Sequence, residues 1–188
     1  MKKYLVIGNP IEHSLSPKLH NYWFKKNNID ANYDRRKIDK SEIQEIISEI
    51  KDDKLDGINV TVPFKSDVIP FLDVLSEESQ ITQSVNTIYK QDKKLIGHNT
   101  DIKGFELSLK EIQFNLENKT IFILGAGGVV PSIIYALEKL GVSKIIVSNR
   151  TKQKTEKLKK NFLNIGIADW GDTPEFDMII NATSLGLN

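Results

Sequence analysis

Ile121-Phe122-Ile123-Leu124-Gly125-Ala126-Gly127-Gly128 decides the fold of this chain. An apolar run of strand length passes straight into glycines, and a helical pattern follows over residues 130–140. A dinucleotide site needs this handover from strand to helix. The first glycine makes the tight turn, the second lets backbone N–H groups approach a pyrophosphate, and the helix N-terminus supplies positive potential. The match to G-x-G-x-x-G is imperfect, because Val130 stands at the third glycine position. Pro131 is tolerated in a first helical turn, where its missing N–H is not required. On the glycines alone, a turn with a purely structural role is the alternative.

The next strand narrows the choice. Ile145-Ile146-Val147-Ser148 ends at Asn149-Arg150-Thr151, about 20 residues beyond the glycines, where an NAD-preferring site carries an acidic residue. A carboxylate there would repel a 2′-phosphate. Arg150 instead offers a planar, permanently charged fork, and Thr151 a hydroxyl. Lys154, one helical turn on, adds positive charge. The expectation is NADP, set against a surface arginine followed by a threonine helix cap.

Further out, short apolar runs alternate with helical patterns, which points to an α/β protein with mainly parallel sheets. Strands are expected at residues 4–8, 31–38, 55–62, 85–89, 94–97, 119–124, 143–148 and 178–181. Helices are expected at 17–28, 41–50, 101–112, 130–140 and 151–161. Ile43, Ile46, Ile47 and Ile50 form an apolar stripe, and Leu19, Tyr22, Trp23 and Lys26 also follow a helical spacing. The runs 85–89 and 94–97 are set to pair as a hairpin. The lysine-rich run 152–160 reads as a solvated helix face. Two domains are expected, 1–100 and 101–188.

Composition excludes several classes. With 39% hydrophobic and 27% charged residues the chain is ordinary globular material, not a disordered one. A formal net charge of +1 gives no field to steer it to nucleic acid or a membrane. The lack of cysteine removes disulfides and cysteine-based zinc sites, and is compatible with a reducing cytoplasm. His13, His20 and His98 show no ligand spacing, so no metal is expected. The apolar run after Met1-Lys2-Lys3 is too short for a signal peptide. No stretch approaches the roughly 18–20 apolar residues of a membrane span. The expectation is a cytoplasmic protein.

The N-terminal half carries a second constellation. In Gly8-Asn9-Pro10-Ile11-Glu12-His13-Ser14-Leu15-Ser16-Pro17, two serines stand two apart beside a proline. Helix capping accounts for Ser16 but not for Ser14; together they form a candidate carboxylate cradle. Asn59 and Thr61 alternate on one strand face, either toward a common space or toward solvent. Lys65 follows the strand end, where an open α/β sheet has its cleft. Asn86 adds an amide. Asp101 supplies a carboxylate at a helix start, where capping is the plainer role.

Taken together, GNPIEHSLSP (8–17), NVTVPFK (59–65), SVNTI (84–88), GHNTD (97–101), GAGG (125–128), SNRT (148–151) and INATS (180–184) resemble the shikimate dehydrogenase family in order and spacing. The resemblance runs nearly continuously from residue 4 to residue 186. It implies an N-terminal α/β substrate-binding domain, then a Rossmann-type NADP-binding domain, with the active site between them. The implied reaction is the reversible reduction of 3-dehydroshikimate by NADPH to shikimate, on the route to chorismate and the aromatic amino acids. By the resemblance, Ser14 and Ser16 hold the substrate carboxylate, and Asn59, Thr61, Asn86 and Asp101 bind ring hydroxyls. Lys65 and Asp101 match the catalytic pair. Gly125, Ala126, Gly127 and Gly128 match the pyrophosphate loop, Asn149, Arg150, Thr151 and Lys154 the adenosine-phosphate pocket, and Thr183 a further cofactor contact.

Two departures accompany it. Val129-Val130-Pro131 replaces the small residues and the basic residue usual in the family. Family members also continue beyond the INATS loop, with a segment that supplies a tyrosine and a glutamine to the substrate. The chain is therefore expected to be a C-terminally truncated form with an incomplete second domain. A monomer or homodimer with small-molecule ligands is expected. The alternatives are a quinate/shikimate dehydrogenase and a catalytically silent binding fragment.

Overall fold

Along β1 (Lys2–Gly8) the run Tyr4-Leu5-Val6-Ile7 alternates between two faces, and each face is covered differently. Leu5 and Ile7 join a large core with Ile58, Val60 and Ile88, whereas Tyr4 and Val6 pack with Ile11, Phe24 and Tyr33. The computed structural model describes residues 1–186. The chain divides into two compact units, Met1–Thr100 and Asp101–Asn188.

In the first unit β1 is followed by α1 (Ser16–Lys26), β2 (Ala31–Lys37), α2 (Ile43–Lys51), β3 (Gly57–Val60), β4 (Val74–Leu75), α3 (Glu77–Thr82), β5 (Thr87–Gln91) and β6 (Lys94–His98). The sheet order is β2-β1-β3-β5-β6-β4. It is mixed: β2, β1 and β3 run parallel, while β5 is antiparallel to both β3 and β6. The hairpin turns at Asp92 and Lys93, both at positive φ, as a two-residue hairpin turn requires. All four isoleucines of α2 are buried, each adding about 1.5–3 kcal/mol of apolar burial.

The expected helix 17–28 forms as α1, but Leu19, Tyr22 and Trp23 lie exposed. The half-buried positions are Ser16, Pro17, His20, Asn21 and Phe24, which share the period and differ in phase. Asn21 explains the phase. Its Oδ1 accepts the Tyr33 N–H at 2.9 Å and its Nδ2 donates to the Tyr33 carbonyl at 2.7 Å. Tyr33 lies on β2, an edge strand, so Asn21 satisfies ladder groups that have no neighbouring strand.

The second unit contains α4 (Asp101–Glu111), β7 (Thr120–Leu124), α5 (Val130–Lys139), β8 (Lys144–Ser148), α6 (Lys152–Asn161), β9 (Ile165–Ala168) and β10 (Met178–Asn181). Its sheet, in the order β10-β7-β8-β9, is parallel throughout. The strand order reverses beside β7, which places a topological switch point between β7 and β10. Ile121 and Ile123 of β7 pack with Val130, Ile134 and Leu137 of α5. Val130 is fully buried, so the side chain at the third glycine position is part of the core.

Three elements carry no local signal of the kind read above: β4, α3 and β9. Each spans at most six residues, too few to establish a period. Among the described residues, no helix is long and apolar enough to cross a membrane.

Candidate functional site

In the first unit the marked residues gather at one end of the sheet. Ser14 and Ser16 follow β1, Thr61 and Lys65 follow β3, and Asn86 directly precedes β5. β3 and β5 are antiparallel, with Asn59 opposite Thr87, so the start of β5 lies at the carboxyl end of β3. Gly8 allows the chains to meet there: a Cβ on it would lie 2.5 Å from Thr61 Cγ2. The turns at Asn9-Pro10 and Val62-Pro63 both contain cis peptide bonds.

The two serines differ from the capping expectation. The residue capping α1 is Leu15, and Ser16 already belongs to the helix. Ser14 Oγ accepts the Ser16 N–H at 3.3 Å, so Ser14 supports the helix start and leaves Ser16 in the first turn. Arg35 donates to the carbonyl oxygens of Glu12 and Ser14, which fastens this loop to the end of β2.

Asn59 and Asn86 belong to one hydrogen-bond chain. Tyr33 OH donates to Asn59 Oδ1 at 2.6 Å, and Asn59 Nδ2 donates to Asn86 O at 3.1 Å and to Thr87 Oγ1 at 3.0 Å. Thr87 Oγ1 donates onward to Asn86 Oδ1 at 3.0 Å. Asn86 Oδ1 also accepts the Thr100 N–H at 3.0 Å, and its Nδ2 donates to Thr100 Oγ1 at 2.9 Å. Asn86 is buried, and its amide fixes the residue just before Asp101. The Lys65 carbonyl accepts the Val85 N–H at 2.8 Å, which seats the half-buried Lys65 beside the segment that leads through Asn86 into β5. Asp101 is half-buried and opens α4, in the second unit.

The second unit has a cavity of about 300 Å³ at the carboxyl ends of its strands. Gly125, Ala126, Gly127, Asn149, Arg150, Thr151, Lys154 and Thr183 all line it, together with Trp170, Ala182, Ser184 and Leu185. Gly128 follows the lining turn without being part of it. Gly125 sits at φ +113°, and a Cβ there would lie 2.7 Å from the Ala182 carbonyl oxygen. This close approach lets the loop after β10 cross the end of β7. At Gly127 and Gly128 a Cβ would meet nothing within 4 Å, so the space beside their Cα atoms is open at the start of α5. Thr151 precedes α6 without a side-chain capping bond, and Asn149 Nδ2 donates to its carbonyl at 2.9 Å. No carboxylate is among the described residues lining the cavity, while Arg150 and Lys154 are. A pyrophosphate with a 2′-phosphorylated ribose fits this set by charge and by the open space at Gly127.

Participants that the sequence reading did not single out include Trp170, Tyr33, Thr87 and Thr100. Thr87 and Thr100 fall inside quoted motifs, so their proximity to Asn86 had a local signal. Tyr33 and Trp170 reach their sites only through strand pairing.

Comparisons with known proteins match this arrangement. The family model described as "Shikimate dehydrogenase substrate binding domain" matches residues 6–88. The model described as "Shikimate / quinate 5-dehydrogenase" matches residues 106–185. A protein of Pelagibacter ubique strain HTCC1062 named shikimate dehydrogenase (NADP(+)) is 61% identical over 186 residues, covering 99% of this chain and 70% of the relative. The crystal structure of shikimate dehydrogenase from Aquifex aeolicus superposes with a TM-score of 0.91 at 38% identity, covering 100% of this chain and 71% of that one. The Thermus thermophilus enzyme, solved in complex with NADP(H) and shikimate, gives a TM-score of 0.89 at 30% identity, covering 100% and 70%. Both units, the parallel sheet with its glycine turn and the sheet that carries the serine and asparagine motifs, are thus accounted for by one family: the chain belongs to the shikimate dehydrogenases.

Proposed function

We propose that this chain catalyses the reversible NADPH-dependent reduction of 3-dehydroshikimate to shikimate, a step of aromatic amino acid biosynthesis. The observation that carries the reading is the cavity at the ends of β7, β8 and β10. It combines open space at Gly127 with Arg150 and Lys154, and no carboxylate is among its described lining residues. Arg150 suits a 2′-phosphate by charge and planarity, which favours NADP over NAD.

The nicotinamide supplies the hydride chemistry when bound, which leaves the protein to orient the ring and to handle the proton. Lys65 Nζ is assigned the proton transfer: it protonates the ketone oxygen during reduction and takes the proton back during oxidation. Asp101 is assigned as the second member of the catalytic pair. The hydroxyls of Ser14 and Ser16 are assigned the substrate carboxylate, and Thr61, Asn86 and Asp101 the ring hydroxyls. Both amide N–H groups of Asn59 are committed to Asn86 and Thr87, so a ring hydroxyl can use only its Oδ1.

The test is NADP-dependent oxidation of shikimate by the purified chain, followed as NADPH absorbance. Turnover that is lost in Lys65→Ala while NADP still binds supports the assignment; unchanged turnover in that variant removes Lys65 from proton transfer. Binding of both ligands without turnover would instead make the chain a silent binding protein. The family description that names quinate as well as shikimate favours one second reading, use of both substrates. Quinate oxidation in the same assay decides it.

A further inference from the structure

Trp170 is large, aromatic and 47% exposed, yet it belongs to neither the hydrophobic core nor any aromatic pair among the described residues. It occupies a turn directly after β9, in which the Asp172 N–H donates to the Asp169 carbonyl at 3.1 Å and Gly171 has a φ of +104°. The turn is fastened to the neighbouring strand. Ser148 Oγ, fully buried at the end of β8, donates to the same Asp169 carbonyl at 3.1 Å, and Lys152 Nζ lies 3.5 Å from Asp169 Oδ1. The indole is therefore carried by a pinned backbone, and it is the sole aromatic side chain among the described residues that line the cavity.

The strand order says which part of a ligand meets it. Across β7, β8 and β9 the carboxyl ends present the glycine turn, then Asn149 and Arg150, then Trp170. The adenosine half of a 2′-phosphorylated dinucleotide has the same succession: pyrophosphate, phosphorylated ribose, base. With the pyrophosphate at Gly127 and the 2′-phosphate at Arg150, the base falls next to β9. A purine presents a flat π-face, and an indole is well suited to stack on it. Resting on the NADP reading above, we infer that Trp170 forms one wall of the adenine subsite and stacks on the base, making it an affinity residue for the adenosine half of the cofactor.

The test uses the chain's two tryptophans, Trp23 and Trp170. Trp23 is exposed on α1, so Trp23→Phe leaves Trp170 as the only indole. Expected is a saturable quench of Trp170 emission by NADP, repeated by adenosine 2′,5′-bisphosphate and absent with nicotinamide mononucleotide. By calorimetry, Trp170→Ala should weaken NADP binding about tenfold, a typical loss for one base–aromatic stack. Trp170→Phe should restore most of it, and shikimate binding should stay unchanged in both variants. NADP that binds without altering Trp170 emission, or that binds Trp170→Ala as tightly as the parent, overturns the stacking wall alone. NADP that does not bind the parent chain overturns the cofactor reading and the wall with it.

Discussion

The hydroxyl of Tyr33 donates to Oδ1 of Asn59 at 2.6 Å, and this bond sets which way the Asn59 amide faces. With Oδ1 held by the phenol, Nδ2 is turned to Asn86 O and Thr87 Oγ1. Burial pushes the Tyr33 phenol well above its ordinary pKa, so it remains a donor throughout the working pH range. The ring is buried beneath α1, with His20 stacked on it at 4.2 Å. A residue of the apolar interior thus orients an asparagine assigned to the substrate side.

Tyr33→Phe keeps the ring and deletes that donor. It should cost about 1–3 kcal/mol of unfolding free energy, because Asn59 Oδ1 is left without its partner in a half-buried site. The freed amide should then relax, so KM for shikimate rises several-fold while KM for NADP is unchanged. Chemical denaturation and steady-state kinetics on both substrates check this. Lost stability with an unchanged shikimate KM would confine Tyr33 to a packing role.

His20 gives a pH dependence whose sign can be worked out. Burial between Tyr33 and Phe24 lowers its pKa below the ordinary 6.5, so the folded state favours the neutral ring. Between the unfolded value and the lower folded value, the unfolded chain binds more protons. Stability contributed by neutral His20 is therefore full above about pH 6.5 and declines as pH falls toward the folded value. Melting temperature should fall with pH in this window, and His20→Gln should flatten that part of the curve. Asp177, whose carboxylate is held down by the Thr120 N–H and Lys119, acts at lower pH and does not confuse the reading.

What the sequence made legible depended on whether the signal was local. The glycine turn, the strand ending at Arg150 and the α2 stripe are contiguous patterns, and each folds as its residues suggest. The phase of α1 was not legible, because Asn21 faces inward to serve an edge strand and displaces Leu19, Tyr22 and Trp23 outward. Trp170 lies 20 positions beyond Arg150 and reaches the cavity only because β9 pairs with β8 in the register Ser148 to Ala168. Periodicity reports neither a register nor an edge. Motif spacing likewise marked Asn59 without revealing that its amide hydrogens are already used.

The two lining glycines of the turn separate structure from binding. Gly125→Ala meets both a positive φ and a carbonyl oxygen at 2.7 Å, so the loop after β10 must move away from β7. That variant should lose thermal stability and NADP affinity together. Gly127 has neither constraint: its φ is not positive and an added Cβ meets nothing within 4 Å, yet it faces the cavity. Gly127→Ala should melt close to the parent, since the new methyl touches no protein atom. It would stand where a pyrophosphate must approach the backbone. Losing one such charge-assisted hydrogen bond should weaken NADP binding by about tenfold or more. Thermal melts and calorimetry on the pair decide the matter. Equal NADP affinity in Gly127→Ala and the parent would move the pyrophosphate off this turn, whereas weaker binding at unchanged stability is what a phosphate-binding turn requires.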